Sequence, residues 1–185
     1  MEQNSQVEVF DSQIRELYGR VVWSHKTQEK CADIIWERHK AIKITQIVLS
    51  ATTTTGILVA VFGENYWVGL ISAILSALLF GLNTYTKDYD LGEIAQKHST
   101  AANNLWNIRE SYLSLLTDMA AQKLSVEQIR NKRDELQDDL FNIYKGSPRT
   151  ISKAYQEATK ALNVNEELTF SKKELNQLLP ESLRK

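Results

Sequence analysis

The sequence predicts an all-α fold: a two-helix transmembrane hairpin continuous with long antiparallel cytoplasmic helices, followed by short C-terminal helices. Three observations carry this reading. Residues 44–86 hold a single charged side chain, Glu64, in a chain that is 24% charged. The two prolines, Pro148 and Pro180, both lie late, so nothing interrupts long helices before them. Leu91, Ile94, His98, Ala101, Leu105, Ile108, Tyr112, Leu115 and Met119 recur at steps of three and four, the spacing of a heptad seam.

The central region divides into spans at 44–63 and 66–86. A helix rises about 1.5 Å per residue, so about 20 apolar residues cross a hydrocarbon core of roughly 30 Å. Both spans are long enough, and the link Gly63-Glu64-Asn65 permits only a tight reversal. The first span is the more polar, interrupted by Thr45, Gln46, Ser50 and Thr52 to Thr55. Arg38, Lys40 and Lys43 precede the hairpin and Lys87 follows it, while its turn has no basic residue. Positive charge stays on the cytoplasmic side, which places both termini in the cytoplasm and the Glu64 tip outside. Tyr66 and Trp67 suit one interface, Tyr85 and Tyr89 the other.

Composition narrows the function. The chain has 185 residues, one Cys and a formal net charge of −1. It has no basic excess for nucleic acid. Cys31 alone forms no internal disulfide, which suits a reducing compartment. The opening Met1-Glu2-Gln3-Asn4-Ser5 is polar and reads as no signal peptide.

Taken in order, residues 6–43 read as one cytoplasmic helix running into the first span. Phe10, Ile14, Leu17 and Val21 share one face, and Cys31, Ile35 and Ile42 continue it. Ser24 to Lys30 is polar, and His25 and His39 read as solvated or hydrogen-bonded, being fourteen residues apart rather than at metal-ligand spacing. Residues 87–123 form the second long helix, whose seam packs on 6–43. One seam position, His98, is polar: it fixes register or oligomer state, or it touches a ligand or titrates as a switch. In the C-terminal region, 125–185, Ser125-x-x-Gln128 and Ser171-x-x-Glu174 are capping boxes that start helices. The first carries Ile129, Leu136, Leu140 and Ile143 on one face and ends at Gly146-Ser147-Pro148. A helix over 151–162 presents Ile151, Ala154, Tyr155, Ala158 and Leu162, and the terminal helix presents Leu175, Leu178 and Leu179. These helices are too short to stand alone and should pack on the long pair or on a neighbouring subunit. Glu181 to Lys185 are expected to be loose.

Within the membrane, Gly69, Ala73, Ala77 and Gly81 step by four, a groove that another helix can approach closely. Ser72 and Ser76 run alongside. Gln46, Ser50, Thr53 and Thr54 lie on one side of the first span, either bonding the second span or facing water in an oligomeric pore. Neither span contains Asp, Glu, Lys or Arg, so no ion relay marks a coupled transporter. There is no phosphate-binding glycine loop, no His-Glu-x-x-His, no paired-Cys zinc spacing and no Gly-x-Ser-x-Gly elbow. No enzyme, catalytic residue or metal site is expected.

The long helix carrying Tyr18-Gly19-Arg20-Val21-Val22-Trp23-Ser24-His25-Lys26 leads into two spans with a tiny loop. Then come Asp90-Leu91-Gly92-Glu93-Ile94-Ala95-Gln96-Lys97-His98, Ala101-Ala102 and Leu105-Trp106-Asn107-Ile108-Arg109-Glu110-Ser111-Tyr112. This order resembles the SLATT-domain family over about residues 12–145. That family comprises bacterial two-transmembrane proteins associated with nucleotide second-messenger defence systems. The resemblance implies a homo-oligomeric inner-membrane effector that forms a pore or disrupts the bilayer in anti-phage, abortive-infection defence. Its trigger is a nucleotide-generating or nucleotide-sensing partner, or a nucleotide second messenger bound directly; no other cofactor is implied. His98, Arg109 and Tyr112 match characteristic positions of the family. The competing readings are a non-permeabilising membrane scaffold with a coiled-coil partner-binding domain, and a soluble helical enzyme or adaptor.

Overall fold

One helix runs the length of the molecule and every other packed element leans on it. In the computed structural model, which describes residues 2–184 with side chains from Ser5 onward, α1 spans Glu2–Phe62 without a break. Gly19 lies in open space and does not bend it. Met1 and Lys185, the ends of two segments named above, lie outside the described residues.

At the far end of α1 the chain reverses in three residues. The Gly63 and Asn65 amides donate to the carbonyls of Val59 and Ala60, and Glu64 takes a left-handed φ of 48°. Asn65 Oδ1 then accepts from Val68 N at 3.2 Å and starts α2 (Tyr66–Asp88). At about 34 Å, α2 matches a bilayer core. The two helices meet along Ile42, Gln46, Leu49, Thr53, Gly56 and Ala60 on α1 and Val68, Ser72, Leu75, Leu79, Leu82 and Thr86 on α2. The rest of the hairpin is bare. Only 6% of either apolar window is buried, and Phe62 and Phe80 are 83% and 73% exposed. An apolar surface that large is matched to lipid rather than to water. Tyr66 meets Trp67 edge-on near the tip, and Tyr85 stacks on Tyr89 at the other end, where interfacial aromatics belong.

The helix expected over 87–123 is displaced at both ends. α2 continues to Asp88, Tyr89 leaves helical geometry, and Asp90 caps a separate α3 (Leu91–Ala120) by accepting from Glu93 N at 3.0 Å. The cause is legible in hindsight: Asp90-x-x-Glu93 is itself an N-terminal signature. Gly92 lets this first turn close on α1, since a Cβ there would lie 3.1 Å from His39 Cε1. The expected seam of α3 is turned inward, with Ala95 and Ala102 buried beside it.

α3 runs back antiparallel along α1. Ile14, Leu17 and Val21 interlock with Leu105, Ile108, Tyr112, Leu115 and Met119, and α4 (Val126–Gly146) closes this core with Ile129 and Leu140. Both bonds of the Ser125–Gln128 capping box are formed. α5 (Ser152–Asn163) lies on α1 through Ala154, Ala158 and Ala161. Tyr155, expected on that packed face, is instead 55% exposed at its flank, because the alanines bring the two helices too close for a ring between them. α6 (Lys172–Leu178) is opened by the second capping box but buries no residue, so it does not pack on the long pair. Glu181–Leu183, expected to be loose, forms a 3-10 turn.

The hairpin seam is sharpest at Gly56, where an added Cβ would collide with Ser72 Oγ. Gly56→Leu should therefore cost about 1–3 kcal/mol in the thermal unfolding of detergent-solubilised protein. Gly81 meets no atom within 4 Å. Gly81→Leu should change stability by less than about 0.5 kcal/mol. Equal losses would contradict this seam.

Candidate functional site

The middle of the polar stretch of α1, Ser24 to Lys30, is buried. His25, Lys26, Thr27 and Gln28 are each at most 7% exposed. They stay wrapped because α1 here is covered on several sides at once: by α3, by α4 and by α5 with the loop after it. A helix covered all round cannot keep a solvated face, so each polar group must find a partner inside the protein or go without one.

One chain of bonds crosses this layer. Gln28 Nε2 donates to the Pro148 carbonyl at 3.3 Å, and Gln28 Oε1 faces His98 Nδ1 within hydrogen-bonding distance. A carbonyl only accepts, so the amide nitrogen must point at Pro148 and the amide oxygen at His98. His98 Nδ1 therefore carries the proton. The bond joins α1, α3 and the α4–α5 turn. Burial lowers the His98 pKa from its ordinary value. Burial also lowers that of His25; Arg109 and Lys26 add to the effect, against Glu29 and Glu110.

The other members occupy neighbouring levels. Lys26 Nζ lies 2.8 Å from both Glu29 and Glu167. Burial opposes its charge, but the hydrogen bonds it donates to Glu167 and Glu29 outweigh that and raise its pKa. Arg109 pairs with Glu110 at 2.6 Å and lies over the Trp106 ring. Tyr112 is fully enclosed, its pKa pushed up to about 12 by burial and by neighbouring Tyr144. Ser24 Oγ and Tyr144 Oη are 2.8 Å apart. Trp23 Nε1, His25 Nδ1, Arg109 Nη1 and Tyr112 Oη are buried without a hydrogen-bond partner among the described residues. Each such group costs about 1–3 kcal/mol. Cys31 is wholly buried, and burial raises its thiol pKa.

His98, Arg109 and Tyr112 do not converge on one point. Fourteen residues of α3 separate the first from the last, about 21 Å. They mark successive levels of the α1–α3 interface. The polar membrane residues also divide. Gln46 Nε2 donates to Asn83 Oδ1 at 2.8 Å and to Thr86 Oγ1 at 3.0 Å, tying the two spans together. Thr53 and Ser72 are buried in the seam, whereas Ser50, Thr54 and Ser76 face outward, with Thr54 bonding the Ser50 carbonyl. Of the small-residue stripe, Gly69 faces Ala60, where an added Cβ would lie 3.4 Å from the alanine methyl, while Ala73, Ala77 and Gly81 are left exposed.

Sequence reasoning missed Gln28, Trp23 and Tyr144. The signal was His98: a polar residue in an apolar seam demands a polar partner on the facing helix. Among the described residues no three His, Cys, Asp or Glu side chains gather as metal ligands would.

The two lowered histidines fix a pH dependence. Above the ordinary imidazole value of 6.5 both are neutral in the folded and unfolded states, and stability is complete. Below it the unfolded chain takes up protons that the folded chain refuses, so stability falls until the depressed folded values are reached. The unfolding midpoint should drop as the pH falls below about 6.5, and His25→Gln/His98→Gln should flatten that drop. An unchanged slope in the double variant would contradict the buried, neutral assignment.

Residues 10–174 match the family described as SMODS and SLOG-associating 2TM effector domain family 4. No curated protein and no solved structure matches the chain. The match takes in the hairpin, the bundle and the loop carrying Glu167. The two bare apolar helices agree with the two membrane spans that the description names. The chain is a member of the SLATT_4 family of two-transmembrane effector domains.

Proposed function

We propose that the protein is a non-catalytic effector of the bacterial inner membrane. Both termini and the bundle lie in the cytoplasm. A nucleotide signal, or a partner that makes or senses one, acts on the bundle in anti-phage defence. The hairpins of several subunits then rearrange and breach the bilayer. The observation that carries this reading is the unbroken course of α1 from the buried polar layer into the membrane. A shift at Gln28 has no loop in which to dissipate before it reaches the first span.

Two helices of one chain cannot enclose a pore, so the breach requires a homo-oligomer. Ala73, Ala77 and Gly81, with Ser76, lie on the face of α2 that the intrachain seam leaves free. Small residues on a free face favour close approach by another membrane helix. Ser50 and Thr54 supply hydroxyls on the outward side of α1. The family description supports the coupling to a signal, since it names association with SMODS and SLOG domains.

Overproduced in bacteria with an activating partner, the protein should collapse the membrane potential reported by a voltage-sensitive dye. Ala77→Leu and Gly81→Leu should abolish that collapse while the protein stays in the membrane fraction, because neither position is needed by the hairpin itself. Unchanged potential after confirmed activation would overturn the proposal.

A further inference from the structure

The structure assigns a ligand site to the cleft between α1, α4 and α5: we propose that it takes a small planar heteroaromatic compound bearing an anionic group, of the mononucleotide class. This rests on the reading above that the bundle receives a signal, and it names where and in what form.

The cleft has a volume of about 490 Å³. That is within the range of small-molecule sites. Its walls are three rings from three elements. Trp23 on α1 and Tyr155 on α5 lie 6.2 Å apart and tilted by 39°, and Tyr144 comes from α4. Tyr155 and Tyr144 keep 55% and 43% of their surface exposed, so ring faces are open to stacking. Between the rings stand hydrogen-bonding groups suited to the edge of a heterocycle: the Ser24 and Tyr144 hydroxyls and the Gln28 amide. At the rim is Arg149, which has no carboxylate partner among the described residues. No Asp or Glu lines the cleft, so its one charge is positive and selects an anion. A larger cleft of about 740 Å³ at the opposite end of the bundle lacks this chemistry, having no aromatic wall and carrying Glu8 and Asp11.

The position gives the ligand leverage. Gln28 is at once a wall of the cleft, the partner of His98 and the tether of Pro148. A ligand that recruits the Gln28 amide draws on the bond that holds α1, α3 and the α4–α5 turn in register. The displaced element is α1, which continues into the membrane.

The test is calorimetric titration of the detergent-solubilised full chain with AMP and GMP, with adenosine as the ring without the anion and inorganic phosphate as the anion without the ring. At least one mononucleotide should bind more tightly than about 1 mM, and more tightly than either control. Arg149→Ala should weaken the mononucleotide about tenfold and leave adenosine unchanged, and Tyr155→Ala should weaken both about tenfold. Arg149 and Tyr155 are exposed, so both variants should keep the helical circular dichroism of the parent. Binding of neither nucleotide, or binding indifferent to both substitutions, would overturn the site. Liposome leakage is scored separately. Binding without leakage under any condition counts against the pore and leaves the cleft standing; leakage without binding does the reverse.

Discussion

A single helix here has to satisfy two solvents. In the bundle α1 buries Ile14, Leu17, Val21 and the stretch His25 to Gln28 against protein, and in the hairpin its outer face is bare apolar surface matched to lipid. The backbone hydrogen bonds are the same throughout, so the side chains alone mark the change of medium. In the bundle, water is excluded by α3, α4 and α5, and charged groups such as Lys26 survive because Glu29 and Glu167 meet them. In the hairpin, charge is absent from Ile44 to Gly63 and polarity is confined to hydroxyls and one amide.

The two halves are held in register by different means. In the bundle, burial of Ile14, Val21, Leu105 and Tyr112 provides the driving force, and the Gln28–His98 bond selects one alignment among the several that an apolar seam would allow. Lipid offers apolar helices no hydrophobic reason to associate, so the hairpin depends on close packing and polar bonds. Gly56 against Ser72 provides the first, and Gln46 with Asn83 and Thr86 the second. The bundle's register and the hairpin's register are therefore set at two points on one continuous helix, while the returning chain is broken between them at Tyr89–Asp90.

Much of this was legible beforehand, and for physical reasons. An absence of charge over residues 44–86 has few explanations, and a seam stepping by three and four through Met119 needs a facing helix. Capping boxes at Ser125 and Ser171 announced their helices because the bonds they make are local. What was less legible is which further elements cover a given face. That Ser24 to Lys30 is polar is plain from the sequence, but not that α3, α4 and α5 bury its middle, His25 to Gln28. Of the stripe from Gly69 to Gly81, only Gly69 meets α1; the intrachain seam runs beside it through Val68, Ser72, Leu75 and Leu79 and leaves Ala73, Ala77 and Gly81 free. Periodicity shows that a face exists, not which neighbour takes it. The Tyr89–Asp90 break is local: Asp90-x-x-Glu93 marks it, beneath a helical pattern that otherwise runs on from span to seam.

The central claim is that α1 is continuous and stiff across the boundary between bundle and membrane. Spin labels at Asp33 and Leu58, both exposed, test it in a Cys31→Ala background reconstituted into lipid. Twenty-five residues of unbroken helix predict one narrow distance distribution near 38 Å, to within about 5 Å for the label arms. A broad distribution, or one centred well below that distance, would reveal a hinge between the halves and contradict the account.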